Sequence, residues 1–293
     1  MNSEIIIHGK KKDLGGFSVV RSLPTIHCRS VGPFVFLDHM GPMQVDETHH
    51  LDVRPHPHIG LMTVTYLLEG KGYHRDSIGS KQIINPGDIN LMIAGKGIVH
   101  SERTPEEEKN HSNKKIHGLQ IWLALPKEDE ECDPAFFHYS KEQLPKITVN
   151  ESISIDLLIG SYQQYQSAVK SYFKTLFLVA NIKNNTKHEF TFNEKEIGIL
   201  IISGAASIND QELKSNDFIK VGDPQNIKFF AKEDCELAIV GGETLPEPRF
   251  MWWNLISTRK ELIHLAAKKW KNQEMGKVDG ETDFIPLPND PLP

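Results

Sequence analysis

Along most of the chain, hydrophobic positions come in short runs rich in β-branched and aromatic residues, and turn chemistry closes each run. Residues 61–68 (LMTVTYLL) end at Glu69-Gly70, and Ile83-Ile84 leads into Asn85-Pro86-Gly87-Asp88, where adjacent Pro and Gly mark a turn. Residues 89–93 follow and give way to Gly95-Lys96-Gly97, while residues 119–125 (LQIWLAL) are stopped by Pro126. Strands spaced this closely, with almost no helix between them, predict a barrel or sandwich.

The same style resumes at residues 175–182 (TLFLVANI), then at 190–192, 197–202 (IGILII), 218–221, 227–230 and 237–240. Leu67-Leu68-Glu69-Gly70 is matched by Ile201-Ile202-Ser203-Gly204, and each is followed 13 to 18 residues later by an aspartate turn, at Asp88 and Asp217. This predicts an internal duplication, two β-barrels of related architecture. The expected division is a barrel over 1–126, a polar and strand-poor linker over 127–172, and a second barrel with a C-terminal helix and tail over 173–293. The linker carries the acidic run Glu128-Asp129-Glu130-Glu131, read as a solvated face. Thr258-Arg259-Lys260-Glu261 has the form of a capping box, with the Thr hydroxyl reaching the Glu261 amide. Leu262, Leu265 and Ala266 then recur at helical spacing, Gly276 is the expected stop, and residues 284–288 form an extended tail packed on a barrel.

Composition narrows the class. With 39% hydrophobic and 25% charged residues in 293, the chain is ordinary globular protein, not disordered or membrane-spanning. A net charge of −6 and no basic stripe argue against direct recognition of nucleic acid. No apolar core of a secretory signal follows Lys10-Lys11-Lys12, and no run approaches the roughly 20 residues of a bilayer span. Cys28, Cys132 and Cys235 are odd in number and without CxxC spacing, which points to a reducing cytoplasm.

The candidate chemistry sits in two pairs. Arg54-Pro55-His56-Pro57-His58 places two imidazoles at i and i+2, on one face of a strand and about 6–7 Å apart along it, which suits two neighbouring ligands of one metal. The prolines suit a barrel mouth or edge. His100-Ser101-Glu102 repeats the device with an imidazole and a carboxylate. The predicted ligands are therefore His56, His58, His100 and Glu102, whereas His49, His50 and His74 show no such pattern. Three imidazoles and a carboxylate suit one divalent ion: Fe²⁺, Mn²⁺, Co²⁺, Ni²⁺, Cu²⁺ or Zn²⁺. On an octahedral ion, four such ligands leave two positions open. Aligning the halves on Gly70 and Gly204 puts Phe190 and Phe192 at the places of His56 and His58. Aligning Asp88 with Asp217 puts Phe229 and Ala231 at those of His100 and Glu102. With only His188 nearby, the second barrel is expected to hold no metal.

These motifs resemble the cupin superfamily and, within it, the pirin family. His56, His58 and Gly70 fit the first cupin motif, but its usual Glu falls on Thr63; Gly97-Ile98-Val99-His100 fits the second. The carboxylate displaced to Glu102 is the pirin arrangement. PHPHIGLMTVTYLLEG, HRDSIGS, NPGDINLMIAGKGIVHSE, HGLQIWLALP, FLDHMGP, PEPRFMWWN and GKVDGETDFIPLP all resemble pirin segments, so the likeness covers almost the whole chain. Many members carry Trp at Leu91, Thr at Ile93 and Arg at Lys96, departures expected to flank the site and bear on substrate fit.

The resemblance implies an all-β fold of two consecutive cupin (double-stranded β-helix, jelly-roll) barrels with a short C-terminal helix. It favours iron. It also implies quercetin 2,3-dioxygenase-type cleavage of a flavonol-like aromatic by dioxygen, releasing carbon monoxide and an ester, with Glu102 as ligand and catalytic base. Asp38, His39 and Trp122 become candidates for the pocket or for support behind the ligands, Trp122 being equally well read as core. The other implied role is an iron-dependent redox-sensing transcription co-regulator acting through protein partners, cytoplasmic or, in a eukaryote, nuclear. A third reading is another cupin-type reaction on an unidentified small molecule. A monomer is expected.

Overall fold

The computed structural model describes residues 3–14, 17–46, 50–109 and 114–293. About 52% of the chain is strand and 8% helix, which makes the fold all-β as the alternation predicts. Two compact units form, one from residues 1–11, 20–39 and 142–245, the other from 12–19, 40–141 and 246–293. The units interleave along the chain instead of following it, and the C-terminal helix and tail belong with residues 40–141, not with the second barrel.

In the unit that contains residues 40–141, one antiparallel sheet has the order Asp52–His58, Ile98–Arg103, Gly72–Asp76, Lys81–Ile84. The other runs Ala135–Tyr139, Ile89–Ile93, Leu61–Glu69, Lys114–Ala124 and continues beyond. Leu61–Glu69 is buried at its first seven positions, as expected for a central strand with both faces covered. Residues directly opposite across antiparallel strands share a face. Thr63 is thus grouped with Met92, Trp122 and Phe136, and Thr65 with Asn90, Gln120 and His138. Leu91 pairs with Val64 and Ile93 with Met62, on the opposite face. These two of the three family departures therefore point away from the Thr65 side, a correction to the expectation that they flank the site. A position number says nothing of face until the register is known.

The other unit repeats the plan. Its seven-stranded sheet has the order Ile5–His8, Asp217–Lys220, Glu196–Ser203, Cys235–Gly242, Thr175–Ile182, Ile153–Ile159, Lys146–Asn150. Its four-stranded sheet has Lys187–Phe190, Ile227–Ala231, Ala205–Ile208, Gln211–Lys214. Together they enclose a core that includes Leu178, Phe190, Phe192, Ile199, Ile219, Phe229 and Leu237.

Three local readings need correcting. The supposedly strand-poor stretch 127–172 carries Ala135–Tyr139, Lys146–Asn150 and Ile153–Ile159. Ile147, Ile153, Ile155 and Leu157 alternate with polar residues there, so the segment reads as polar on average while burying one face. The acidic run is not wholly a solvated face, because Glu130 is only 2% exposed. Its carboxylate accepts from Ser257 Oγ (2.9 Å), Thr258 N (2.6 Å) and Thr258 Oγ1 (3.0 Å), with Arg249 Nε at 3.5 Å. That engagement removes Thr258 from the expected capping box: the helix spans Lys260–Lys271, and its N-cap Arg259 makes no side-chain cap bond. The helix ends before Asn272, short of Gly276, and buries Ile263, Ala266, Ala267 and Trp270 while Leu265 is 49% exposed.

The tail is extended, as expected. The Ile285 amide donates to the Pro55 carbonyl at 2.8 Å, and the Trp270 indole donates to the Ile285 carbonyl at 3.0 Å. No helix among the described residues is long and apolar enough to cross a membrane.

Candidate metal centre

Asp52–His58 and Ile98–Arg103 lie side by side, with His56 directly opposite His100 and His58 opposite Ile98. The two-residue period therefore brings three imidazoles to one place. Ring centroids are 4.4 Å apart for His56–His100 and 5.0 Å for both His56–His58 and His58–His100. One nitrogen from each lies within 4.8 Å of the others, and all three side chains are buried.

The ring nitrogens are already divided into two kinds. His56 Nδ1 bonds to the Arg54 carbonyl at 2.9 Å and His58 Nδ1 to the Asn254 carbonyl at 3.1 Å. A carbonyl can only accept, so each Nδ1 carries the proton and each Nε2 keeps a lone pair. His58 Nε2 and His100 Nε2 are buried with no hydrogen-bond partner among the described residues. Such orphans cost about 1–3 kcal/mol each unless something absent from the protein atoms satisfies them. Burial also lowers the imidazole pKa values, that of His56 to about 4 and those of His58 and His100 well below the ordinary 6.5. All three are therefore neutral at neutral pH, the form that binds a cation. Geometry, tautomer and charge fit one divalent ion.

Glu102 follows His100 after a break in register between His100 and Glu102. Its carboxylate is not part of the three-histidine group. It accepts from the Thr65 hydroxyl at 3.0 Å, and the same hydroxyl lies 2.9 Å from Gln120 Oε1. Burial raises the Glu102 pKa, with His74 and the Thr65 hydroxyl pulling the other way.

Trp122 stands edge-on to His58 with centroids 5.1 Å apart, so it borders the group. Asp38 and His39 fall in the other unit. There Asp38 takes a two-pronged bond from Arg21 at 2.8 and 2.8 Å, and His39 Nδ1 is 2.7 Å from Asn216 Oδ1. His50 bonds to the Asp46 carbonyl at 3.2 Å, and His49 lies outside the described residues.

Sequence reading passed over His74 and Asp76. His74 Nδ1 lies 3.4 Å from His100 Nδ1, and its Nε2 is 3.0 Å from Asp76 Oδ2. The available signal was the spacing itself: His74-Arg75-Asp76 has the i, i+2 form of His100-Ser101-Glu102.

In the second barrel, His188 is opposite Phe229 and Phe190 opposite Ile227. By register, His188 takes the place of His56, Phe190 that of His58, and Phe229 that of His100. Phe192 does not replace a histidine, as the alignment on the glycines implied, because Phe190–Gly204 spans two residues more than His58–Gly70. Phe190 stacks on Phe192 at 5.8 Å, meets Phe229 edge-on at 5.9 Å, and is met edge-on by His188 at 4.5 Å.

Each unit's paired antiparallel sheets form a cupin domain, so the chain contains two, and the first carries histidines that converge from adjacent strands. The chain belongs to the pirin family: the family model described as Pirin matches residues 16–123, and that described as Pirin C-terminal cupin domain matches 177–276. A pirin-like protein of Caulobacter vibrioides is 37% identical over 288 residues, covering 97% of this chain and 99% of the relative. Human pirin is 28% identical, covering 75% of this chain and 77% of its own length. A crystal structure of quercetin 2,3-dioxygenase from Acinetobacter baumannii superimposes with a TM-score of 0.90 at 32% identity, covering 99% of this chain and 95% of that one.

Proposed function

We propose that this chain is a metal-dependent dioxygenase that cleaves a flavonol-like aromatic in the manner of quercetin 2,3-dioxygenase. The observation that carries the reading is the set of three neutral imidazoles, two of them with a buried and unpartnered Nε2, beside a carboxylate of raised pKa. The likeness to the Acinetobacter baumannii enzyme supports the substrate class. His56, His58 and His100 would hold the ion, with Glu102 as a fourth ligand, and the pirin resemblance favours Fe²⁺ among the divalent first-row metals. When bound, the ion supplies a Lewis acid that acidifies a coordinated hydroxyl and a centre at which dioxygen and substrate meet.

The protein's own part is proton handling and orientation. The Glu102 carboxylate takes the proton of the flavonol 3-hydroxyl, and its raised pKa brings it closer to neutral pH, where a general base works best. The Thr65 hydroxyl fixes the carboxylate's direction. Trp122 and Phe136 offer flat apolar surface beside His58 and His74. In the overall step both atoms of dioxygen enter the products and one ring carbon leaves as carbon monoxide, the remainder being the ester.

Cys28, Cys132 and Cys235 form no disulfide, which supports a reducing, cytoplasmic setting. Protein loaded with Fe²⁺ or Mn²⁺ and given quercetin in air should release carbon monoxide. Glu102→Gln should lower that rate by about 10²-fold or more while the protein stays folded. No turnover of any flavonol with any of the six candidate metals would defeat the reading.

A further inference from the structure

We propose that His74 and Asp76 are positioning residues that set the tautomer of His100 and so make its Nε2 available to a metal. The inference rests on the metal-site reading of the three histidines.

The strand Gly72–Asp76 pairs with Ile98–Arg103, placing Asp76 opposite His100 and His74 opposite Glu102. His74 and Asp76 are 5% and 2% exposed, so water does not compete for their hydrogen bonds. The His74 ring stacks on Phe136 with centroids 4.3 Å apart and planes 18° apart, which fixes the ring plane. Asp76 Oδ1 is engaged by the amides of Ile78 at 3.1 Å and Ser80 at 2.9 Å, while Oδ2 faces His74 Nε2 at 3.0 Å.

The direction of the chain follows from the metal end. On the metal-site reading His100 Nε2 is the lone pair that meets the ion, so the His100 proton is on Nδ1. That proton faces His74 Nδ1 at 3.4 Å, which accepts it when the other His74 nitrogen, Nε2, carries its proton toward the Asp76 carboxylate, an oxygen pair that can only accept. His100 Nε2 is the atom that is buried without a partner among the described residues. His56 and His58 receive the same tautomer from main-chain carbonyls, of Arg54 and Asn254. No side-chain substitution removes those. His100 is set by side chains, so it is the ligand that one substitution can reverse.

Asp76→Asn makes the reversal while keeping an oxygen for the Ile78 and Ser80 amides. The new amide NH₂ faces His74 Nε2, which must accept. His74 then carries its proton on Nδ1, His100 Nδ1 must accept it, and His100 Nε2 becomes N–H where the ion would bind.

The test has two readouts on the full chain. In metal-free protein, ¹⁵N imidazole spectra should show His100 protonated at Nδ1 in the wild type and at Nε2 in Asp76→Asn. Titrated with Co²⁺, Asp76→Asn should bind about 10–100-fold more weakly than wild type. Unchanged Co²⁺ affinity in Asp76→Asn, with wild type binding normally, overturns the inference and leaves the metal reading standing. Wild type that binds none of the six candidate ions overturns both. Should Asp76→Asn fail to fold, the wild-type spectrum decides alone, and a His100 proton on Nε2 overturns the proposal.

Discussion

His56, His58 and His100 were legible because a strand's two-residue period turns His-x-His and His-x-Glu into one-sided pairs. His74 was not, because its meaning comes from a neighbour 26 residues away that only the register brings to 3.4 Å. The same burial that keeps these rings neutral has a cost in acid. His56 falls from an ordinary 6.5 to about 4 in the folded chain, so between those values the unfolded chain binds more protons. Stability is therefore full above about 6.5 and is lost as pH falls toward 4. Glu102 works in the opposite sense, since its raised pKa favours the folded state in acid, and a variant is needed to separate the two. The urea-unfolding free energy of metal-free protein should drop less between about pH 7 and pH 4 in His56→Gln than in wild type, by up to about 3 kcal/mol. Equal losses in the two proteins would show that His56 is not held neutral by burial.

The C-terminal segment bonds to the sheet that carries the three histidines. Asn254 supplies the carbonyl that orients His58, and Ile285 bonds to Pro55, next to His56. Glu281 accepts from Arg103 at 3.1 and 2.6 Å and from Arg75, the residues beside Glu102 and His74. The Glu281 side chain is 6% exposed and its arginines are 16% and 18% exposed, so this is a largely enclosed cluster and not a surface pair. Removing Glu281 takes the buried partner from both arginines, leaving Arg103 only the more exposed Asp52 and Asp283. Glu281→Ala should destabilise the protein by about 3 kcal/mol in urea unfolding and also weaken Co²⁺ binding. A change under about 0.5 kcal/mol, the range of an ordinary surface substitution, would mean the tail does not brace the sheet. None of this could be read from the sequence, where Glu281 sits in a polar tail. The failed capping box has a similar cause: Thr258 has the right neighbours locally, but Glu130, 128 residues away, takes its hydroxyl.

For the whole molecule, the alternation of short apolar runs with turns was enough to give an all-β fold and a duplication. The assignment of segments to units was not legible, since residues 246–293 fold with the first barrel although they follow the second. Covalent order does not record which surface a terminal segment covers. The duplicated barrels have diverged at the equivalent place. One gathers three imidazoles, and the other keeps only His188 among Phe190, Phe192 and Phe229. The account therefore assigns a single metal site, in the first barrel, and the proposed activity depends on it. The most direct test is an Fe²⁺ titration of the metal-free protein under nitrogen, with the metal environment then read by X-ray absorption. The account predicts one ion per chain, a coordination shell containing three imidazole nitrogens, and loss of that ion in His58→Ala but not in His188→Ala. No bound ion, two ions per chain, or full retention in His58→Ala would contradict it.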